Sequence, residues 1–363
     1  MDPTLYSPVF LYFTTFISVI LILQYTSSPD FHLQEKKNNL ILPLFICIIL
    51  VLWLGLRPVH AIFGDTVNYA WSYHLINSYD FTIDWNEEWI WEFFTKLCKS
   101  LNLSVNTYFA IIEAGYILSA FWAIVRFVPN NPLLGMIFVW SSLMFFVFGT
   151  NGLRNGLACH FILLAFSFLL DSKYTIGCLI CLIAFGIHKS TILPIATFSL
   201  GFIFKDKVEY AIYIWLLSIP FSLVAGGAAT SFFASLGFDD RMSSYSNANS
   251  DMSVFSNTGF RWDFLLYSCF PVVMAWYVCI KQKIKENWFN ALAITYCLCN
   301  AFWILVIRSS YSNRFAYLSW FLYPIIIAYP LINLHIWDDQ DRKTGLILLA
   351  YSGFTFLMSV VYW

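Results

Sequence analysis

The residues best suited to chemistry are a few charged side chains set in turns between long apolar runs. Arg154 lies in Gly149-Thr150-Asn151-Gly152-Leu153-Arg154-Asn155-Gly156, where a small-residue turn leads into an apolar helix. A cation at a helix start opposes the helix dipole. An anion bound there would meet the guanidinium and the unpaired backbone N–H groups together; the alternative is that Arg154 snorkels to lipid headgroups. Arg308 and Arg314 bracket Ser309-Ser310-Tyr311-Ser312-Asn313. Two guanidinium forks across a tight turn can converge on one diphosphate, and Tyr311 in that turn is a further substrate-binding candidate, as are Arg57 and Tyr69.

Two residues could act as acid or base. Asp65 sits in the turn Gly64-Asp65-Thr66, with Tyr69 and Tyr73 following at helical spacing. Its carboxylate could take a proton from a hydroxyl, or it could cap the helix that follows. His188 ends a short apolar run after Gly186-Ile187 and precedes Lys189-Ser190; it reads either as an acid–base group or as a structural histidine at a helix end. Glu113 lies inside an apolar run, where a carboxylate is expensive and faces a polar interior. It is either a second functional carboxylate or the buried partner of a basic group. Trp85, Trp89 and Trp91 could stack on sugars or anchor a helix at a membrane interface.

The elements that must hold these residues are membrane helices. Of the 363 residues 60% are hydrophobic and 11% charged, with mean hydropathy +0.69, whereas soluble domains carry about 25% charged residues. Apolar runs centre near residues 5–25, 39–56, 104–125, 132–149, 153–170, 174–187, 191–204, 208–224, 263–280, 287–307, 315–334 and 345–361. They give about twelve transmembrane helices in a single all-α polytopic domain, 1–363. The runs at 174–187 and 191–204 are short for a full crossing, so that pair reads as two helices or as one re-entrant feature. The first run has no basic leader or cleavage motif and reads as a retained helix. Net charge is −1 with no long basic tract, so nothing points to nucleic acid, and the partners are expected in the membrane.

Alternating the joints between two sides places Lys36, Lys37, Arg126, Lys173, Lys205, Lys207, Lys281, Lys283, Lys285, Arg342 and Lys343 in short joints on one side, read as cytoplasmic. The opposite side receives Arg57, Lys96, Lys99, Arg154, Lys189, Arg241, Arg261, Arg308 and Arg314. Six of these nine are arginine, against two of the eleven on the inner side; guanidinium forks are favoured where phosphate is gripped, and the alternative is that they snorkel to headgroups. Two longer segments belong to this outer side. In 57–103, the stretch from Asn86 to Leu101 places Trp89, Ile90, Phe93, Phe94, Leu97 and Leu101 on one helical face, with Glu88, Glu92, Lys96 and Lys99 opposite. That is an amphipathic helix expected in the interface. The segment 225–262, rich in Gly, Ser and Asn, reads as an external flap. The pairs Cys178/Cys181 and Cys297/Cys299 fall in apolar runs without other ligand types and read as packing, and no metal site is expected.

The set Gly64-Asp65-Thr66-Val67-Asn68-Tyr69, Asn86 to Phe94, Leu153-Arg154-Asn155-Gly156-Leu157-Ala158, Gly186-Ile187-His188-Lys189-Ser190 and Arg314-Phe315-Ala316-Tyr317 occurs in this order over about residues 57 to 320. In that order and on one face, it resembles the polysaccharide polymerases of the EpsG-like and Wzy (O-antigen polymerase) type. The resemblance implies a glycosyltransferase-C-like helical fold in the bacterial inner membrane with its site facing the periplasm. It implies a reaction in which the growing glycan passes from undecaprenyl diphosphate to the non-reducing end of the next lipid-linked repeat unit. It further implies no cofactor, membrane lipids as surroundings and a chain-length regulator protein as partner. On it, Asp65 and His188 are the catalytic candidates, and Arg57, Tyr69, Arg154, Arg308, Tyr311 and Arg314 bind substrate. The alternatives are an O-antigen ligase, sharing the donor, and a flippase or transporter of lipid-linked glycans, which would show repeat symmetry.

Overall fold

The computed structural model describes residues 1–27, 40–77, 82–235, 259–309 and 312–362. It divides into two compact units, Met1–His188 with Ile327–Trp363, and Lys189–Ile326. Among the described residues the regular structure is helical, and the protein is an all-α polytopic membrane protein. Eight helices are long and apolar enough to cross a membrane, and Ile41–Gly55, Tyr174–Ile187 and Lys189–Ile203 are shorter apolar helices.

The first unit contains α1 (Tyr6–Ser27), α2 (Ile41–Gly55), α3 (Thr66–Leu75), α4 (Trp89–Ser100), α5 (Val105–Phe127), α6 (Pro132–Trp140), α7 (Phe145–Thr150), α8 (Leu153–Leu170), α9 (Tyr174–Ile187) and the C-terminal helix Gln340–Tyr362. α5 and α8 form its centre: α2 packs on α5, α9 on α8, and α1 on the C-terminal helix. Local signals fix several of these starts. Ser104 accepts from Thr107 N–H at 3.2 Å to begin α5, and Asn131 accepts from Leu134 N–H at 3.1 Å to begin α6, with Pro132 in its first turn. Large apolar side chains on the outer helices, such as Tyr12, Phe16 and Leu52, are exposed, as lipid-facing surfaces are.

The apolar run 132–149 does not form one span. It breaks after Trp140, where Ser142 Oγ donates to Val139 O at 2.8 Å and Ser141 Oγ meets Ser18 Oγ at 3.1 Å. Serine hydroxyls offer backbone groups a partner outside the helix ladder. α7 then carries the chain to the Thr150-Asn151-Gly152 turn.

The second unit contains α10 (Ile192–Ile203), α11 (Val208–Ser235), α12 (Trp262–Ala275), α13 (Asn287–Leu305) and α14 (Asn313–Trp320), with α15 (Tyr323–Asn333) running across the division between the units. α13 is its centre, with α10, α11, α12 and α14 packed on it. Asn300 ties these helices together: it accepts from Trp215 Nε1 at 2.7 Å and donates to Ser268 Oγ at 3.2 Å and Ser319 Oγ at 2.9 Å. Trp320 Nε1 also donates to Ser268 Oγ, at 2.8 Å. α11 runs to Ser235, past the start expected for the flap at residue 225. Gly226 and Gly227 each cost a helix about 1 kcal/mol, but Ala228 and Ala229 follow and Phe233 meets Phe302 edge-on at 4.8 Å. The run expected at 315–334 forms one candidate span, Asn313–Asn333, with a turn at Phe321-Leu322 between its two helical pieces.

Candidate active site

The site is assembled in the first unit by two turns that dock on each other. Thr66 Oγ1 donates to Thr150 O at 2.5 Å, and Asp65 N–H donates to Asn151 Oδ1 at 2.8 Å. Gly64 has φ +58°, and a Cβ there would lie 2.5 Å from Asn151 Oδ1. Glycine is therefore required both by the left-handed backbone and by the close approach. From these turns α3 and α8 set out, and Tyr69 and Arg154 meet: Arg154 Nε donates to Tyr69 OH at 3.3 Å. The guanidinium also lies over the rings of Tyr69 and Trp91, at 5.8 and 6.0 Å from their centroids.

Beneath this pair of turns lies a buried charge pair. Arg57 Nη1 donates to Glu113 Oε1 at 2.9 Å and to Leu54 O at 2.6 Å; Arg57 Nη2 donates to Thr66 Oγ1 at 3.1 Å and Thr150 O at 3.3 Å. Both side chains are fully buried. Arg57 thus joins the end of α2, the start of α3, α5 and the end of α7. Of the two readings open for Glu113, buried partner of a basic group is the one realised. Arg57 is placed as the internal fastener of the turns and not on an open surface.

α4 closes the other side. It forms as a helix within the stretch expected from Asn86 to Leu101, but its inner face is Trp91, Phe94, Thr95 and Cys98, while Phe93, Leu97 and Leu101 are exposed. Trp91 meets Tyr69 at 5.5 Å, and Thr95 Oγ1 hydrogen-bonds Tyr108 OH at 3.1 Å. α4 approaches α9 closely, because a Cβ at Gly186 would lie 2.5 Å from Ile90 Cγ1 and 2.9 Å from Trp89 Cε2. This brings Glu88, at the start of α4, to Arg154 and His188. Arg154 Nη1 pairs with Glu88 Oε2, and His188 Nδ1 lies 2.5 Å from Glu88 Oε1.

The three side chains are 15–16% exposed, so the cluster is shielded but reachable. The guanidinium expected to receive an anion holds a carboxylate. Asp65 occupies the cap position of α3 without making a side-chain capping hydrogen bond; its Oδ1 accepts from Asn68 Nδ2 at 3.3 Å.

A family model described as the EpsG family matches residues 40–363, spanning every residue of this cluster. The chain belongs to the EpsG family. No curated protein and no solved structure matches it significantly. As an EpsG-family chain with this helical architecture it is a polysaccharide-polymerase-like, multi-pass membrane protein.

The remaining candidates belong to the second unit. Arg308 is exposed just beyond α13, and its Nη2 donates to Leu223 O at 3.3 Å. Arg314 is half-buried in the first turn of α14. Tyr311 lies outside the described residues. Glu88 and Asn151 are the site residues that sequence reading passed over. Glu88 reads as one more acid on the polar face of an amphipathic helix, and its partners lie 66 and 100 residues away. Asn151 is one residue of a small-residue turn, and only the docking of residue 64 against it reveals its role.

At the opposite end of the α8–α9 hairpin from Arg154 and His188, Asp171 joins two residues expected on the inner side. It accepts from Arg126 Nη2 at 2.8 Å and pairs with Lys173 Nζ at 2.9 Å. Hydrogen bonds from Lys173 and Arg126 hold its carboxyl below the usual aspartate range.

Proposed function

We propose that this EpsG-family protein is a membrane glycosyltransferase that polymerises lipid-linked oligosaccharide repeat units. The growing glycan moves from an undecaprenyl diphosphate carrier to the non-reducing end of the next unit, at the periplasmic face of the bacterial inner membrane. The observation that carries the reading is the state of Arg154. A guanidinium at a helix start, half-enclosed by two aromatic rings, is charge-paired with a carboxylate. Such a fork suits the oxygens of a diphosphate leaving group, whose developing charge must be stabilised as the sugar departs.

His188 takes the acceptor hydroxyl's proton, since a general base needs an imidazole oriented by a partner on its other nitrogen. Asp65, on the turn tied to Asn151, hydrogen-bonds the acceptor sugar, and Tyr69 lines the donor side with Arg154. Arg57 acts by fixing the two turns. Arg308, Arg314 and Tyr311 are proposed as substrate-binding residues on the family resemblance alone. A chain-length regulator protein is a proposed partner, and the reaction as written calls on no cofactor.

The test is to delete the gene and examine the surface glycan. Decoration with single repeat units is the expected result. Long polymer that stays on its lipid carrier would replace this reading with a ligase, and repeat units trapped on the cytoplasmic side would replace it with a flippase.

A further inference from the structure

Glu88 is shared between two groups that the reaction uses separately. One carboxylate oxygen is on Arg154 and the other on His188 Nδ1. Glu88 stands at the start of α4, where a carboxylate could accept from its own helix, yet it makes no side-chain capping hydrogen bond. Its position is enforced from outside the helix by the close seat of Trp89 and Ile90 on Gly186. A carboxylate on a guanidinium fork occupies the place a phosphate oxygen would take.

We propose that Glu88 is a positioning residue that couples donor binding to acceptor activation. The donor diphosphate displaces Glu88 from Arg154, and Glu88 stays on His188 Nδ1. This inference rests on the assignment of Arg154 to the diphosphate and of His188 to the proton. A carboxylate whose charge is no longer shared with a guanidinium stabilises an imidazolium more strongly. Hydrogen bonding at Nδ1 also sets the tautomer with the basic lone pair on Nε2.

The acceptor hydroxyl oxygen then forms a bond to the anomeric carbon of the donor sugar, and the bond from that carbon to the phosphate oxygen breaks. The electron pair leaves with the lipid diphosphate, whose new charge faces Arg154. The hydroxyl proton passes to His188 Nε2, and the imidazolium is balanced by Glu88. Until a diphosphate is present the base is held back, so water is not activated in an empty site.

The test pairs binding of inorganic pyrophosphate to the purified full-length protein with glycan chain length in cells. In Glu88→Gln the internal competitor for Arg154 loses its charge. Pyrophosphate is expected to bind about tenfold more tightly because the competent state is no longer masked, while polymer falls to single units. His188→Ala is expected to lose polymer while still binding pyrophosphate, more weakly than the parent because Glu88 is then left with Arg154 alone. Tighter binding with lost polymerisation is an outcome that a merely structural role for Glu88 does not produce.

Unchanged or weaker pyrophosphate binding in Glu88→Gln, or normal polymer from it, overturns the coupling. Should Glu88→Gln fail to accumulate in the membrane, Glu88→Asp carries the same test, because it keeps the charge but is one methylene short of bridging both partners. Failure of the underlying assignment looks different: Arg154→Ala and His188→Ala would both give normal chain lengths.

Discussion

Asp65 and His188 sit in different local chemistry, and the proposed function accordingly gives them different roles. His188 has a carboxylate 2.5 Å from Nδ1, the arrangement that orients an imidazole for proton transfer. Asp65 has instead a backbone N–H anchored on Asn151 and an amide donor from Asn68 on its carboxylate. Asp65→Asn keeps size and an acceptor oxygen. It is expected to weaken use of the acceptor while leaving turnover largely intact, so that chain length recovers when repeat units are oversupplied. His188→Ala is expected to lose roughly 10²–10⁴-fold in turnover without recovery. A turnover loss in Asp65→Asn matching that of His188→Ala, read from product formed at saturating acceptor, would move proton transfer to Asp65. At this scale the sequence exposed the residues whose type is unusual for their setting, such as Arg154 in a glycine-rich helix start. Glu88 was hidden because an acid on a polar helix face is ordinary until its distant partners are known.

The elements that hold the site are short ones. α3, α4 and α7 carry or adjoin Asp65, Tyr69, Glu88, Trp91 and Asn151, and the turns at α3 and α7 are fastened by Arg57 and Glu113. Both members of this pair are fully buried, so losing one strands the charge of the other. Arg57→Met is expected to destabilise the protein by about 3–5 kcal/mol, and the double variant Arg57→Met/Glu113→Leu by less, since no charge is then left unpaired. Thermal denaturation in detergent reads the difference; equal stability of the single variant and the parent would show that the pair holds nothing. Long helices were legible from apolar length alone, and α8 begins and ends where its run does. Boundaries set by tertiary contacts were not: Ser141 and Ser142 end α6, and Phe233 against Phe302 carries α11 past two glycines. The amphipathic period of α4 announced a helix, but not that Trp91, Thr95 and Cys98 would form its inner face, because Tyr69 and Tyr108 supply the packing.

Over the whole molecule, charge distribution is the argument for sidedness. The α8–α9 hairpin has Arg154 and His188 at one end and the Arg126–Asp171–Lys173 cluster at the other. With native cysteines replaced, a cysteine at Lys173 is expected to be shielded from an impermeant thiol reagent in intact cells, and one at Glu87 to be labelled. Labelling at Lys173 with protection at Glu87 would reverse the orientation and place the site in the cytoplasm. The polytopic class followed from composition, because so much apolar surface has no other use. The division into two compact units rests on contacts between helices distant in sequence, which the order of apolar runs does not record. On the proposed function, Arg154 receives the diphosphate of a lipid-linked glycan during polymerisation. The most direct measurement is the length distribution of the surface glycan made by Arg154→Ala and Arg154→Lys, at matched protein levels in the membrane. Single repeat units from the alanine variant, with poor rescue by lysine because it lacks the planar fork, is the result expected; normal chain lengths from Arg154→Ala would contradict it.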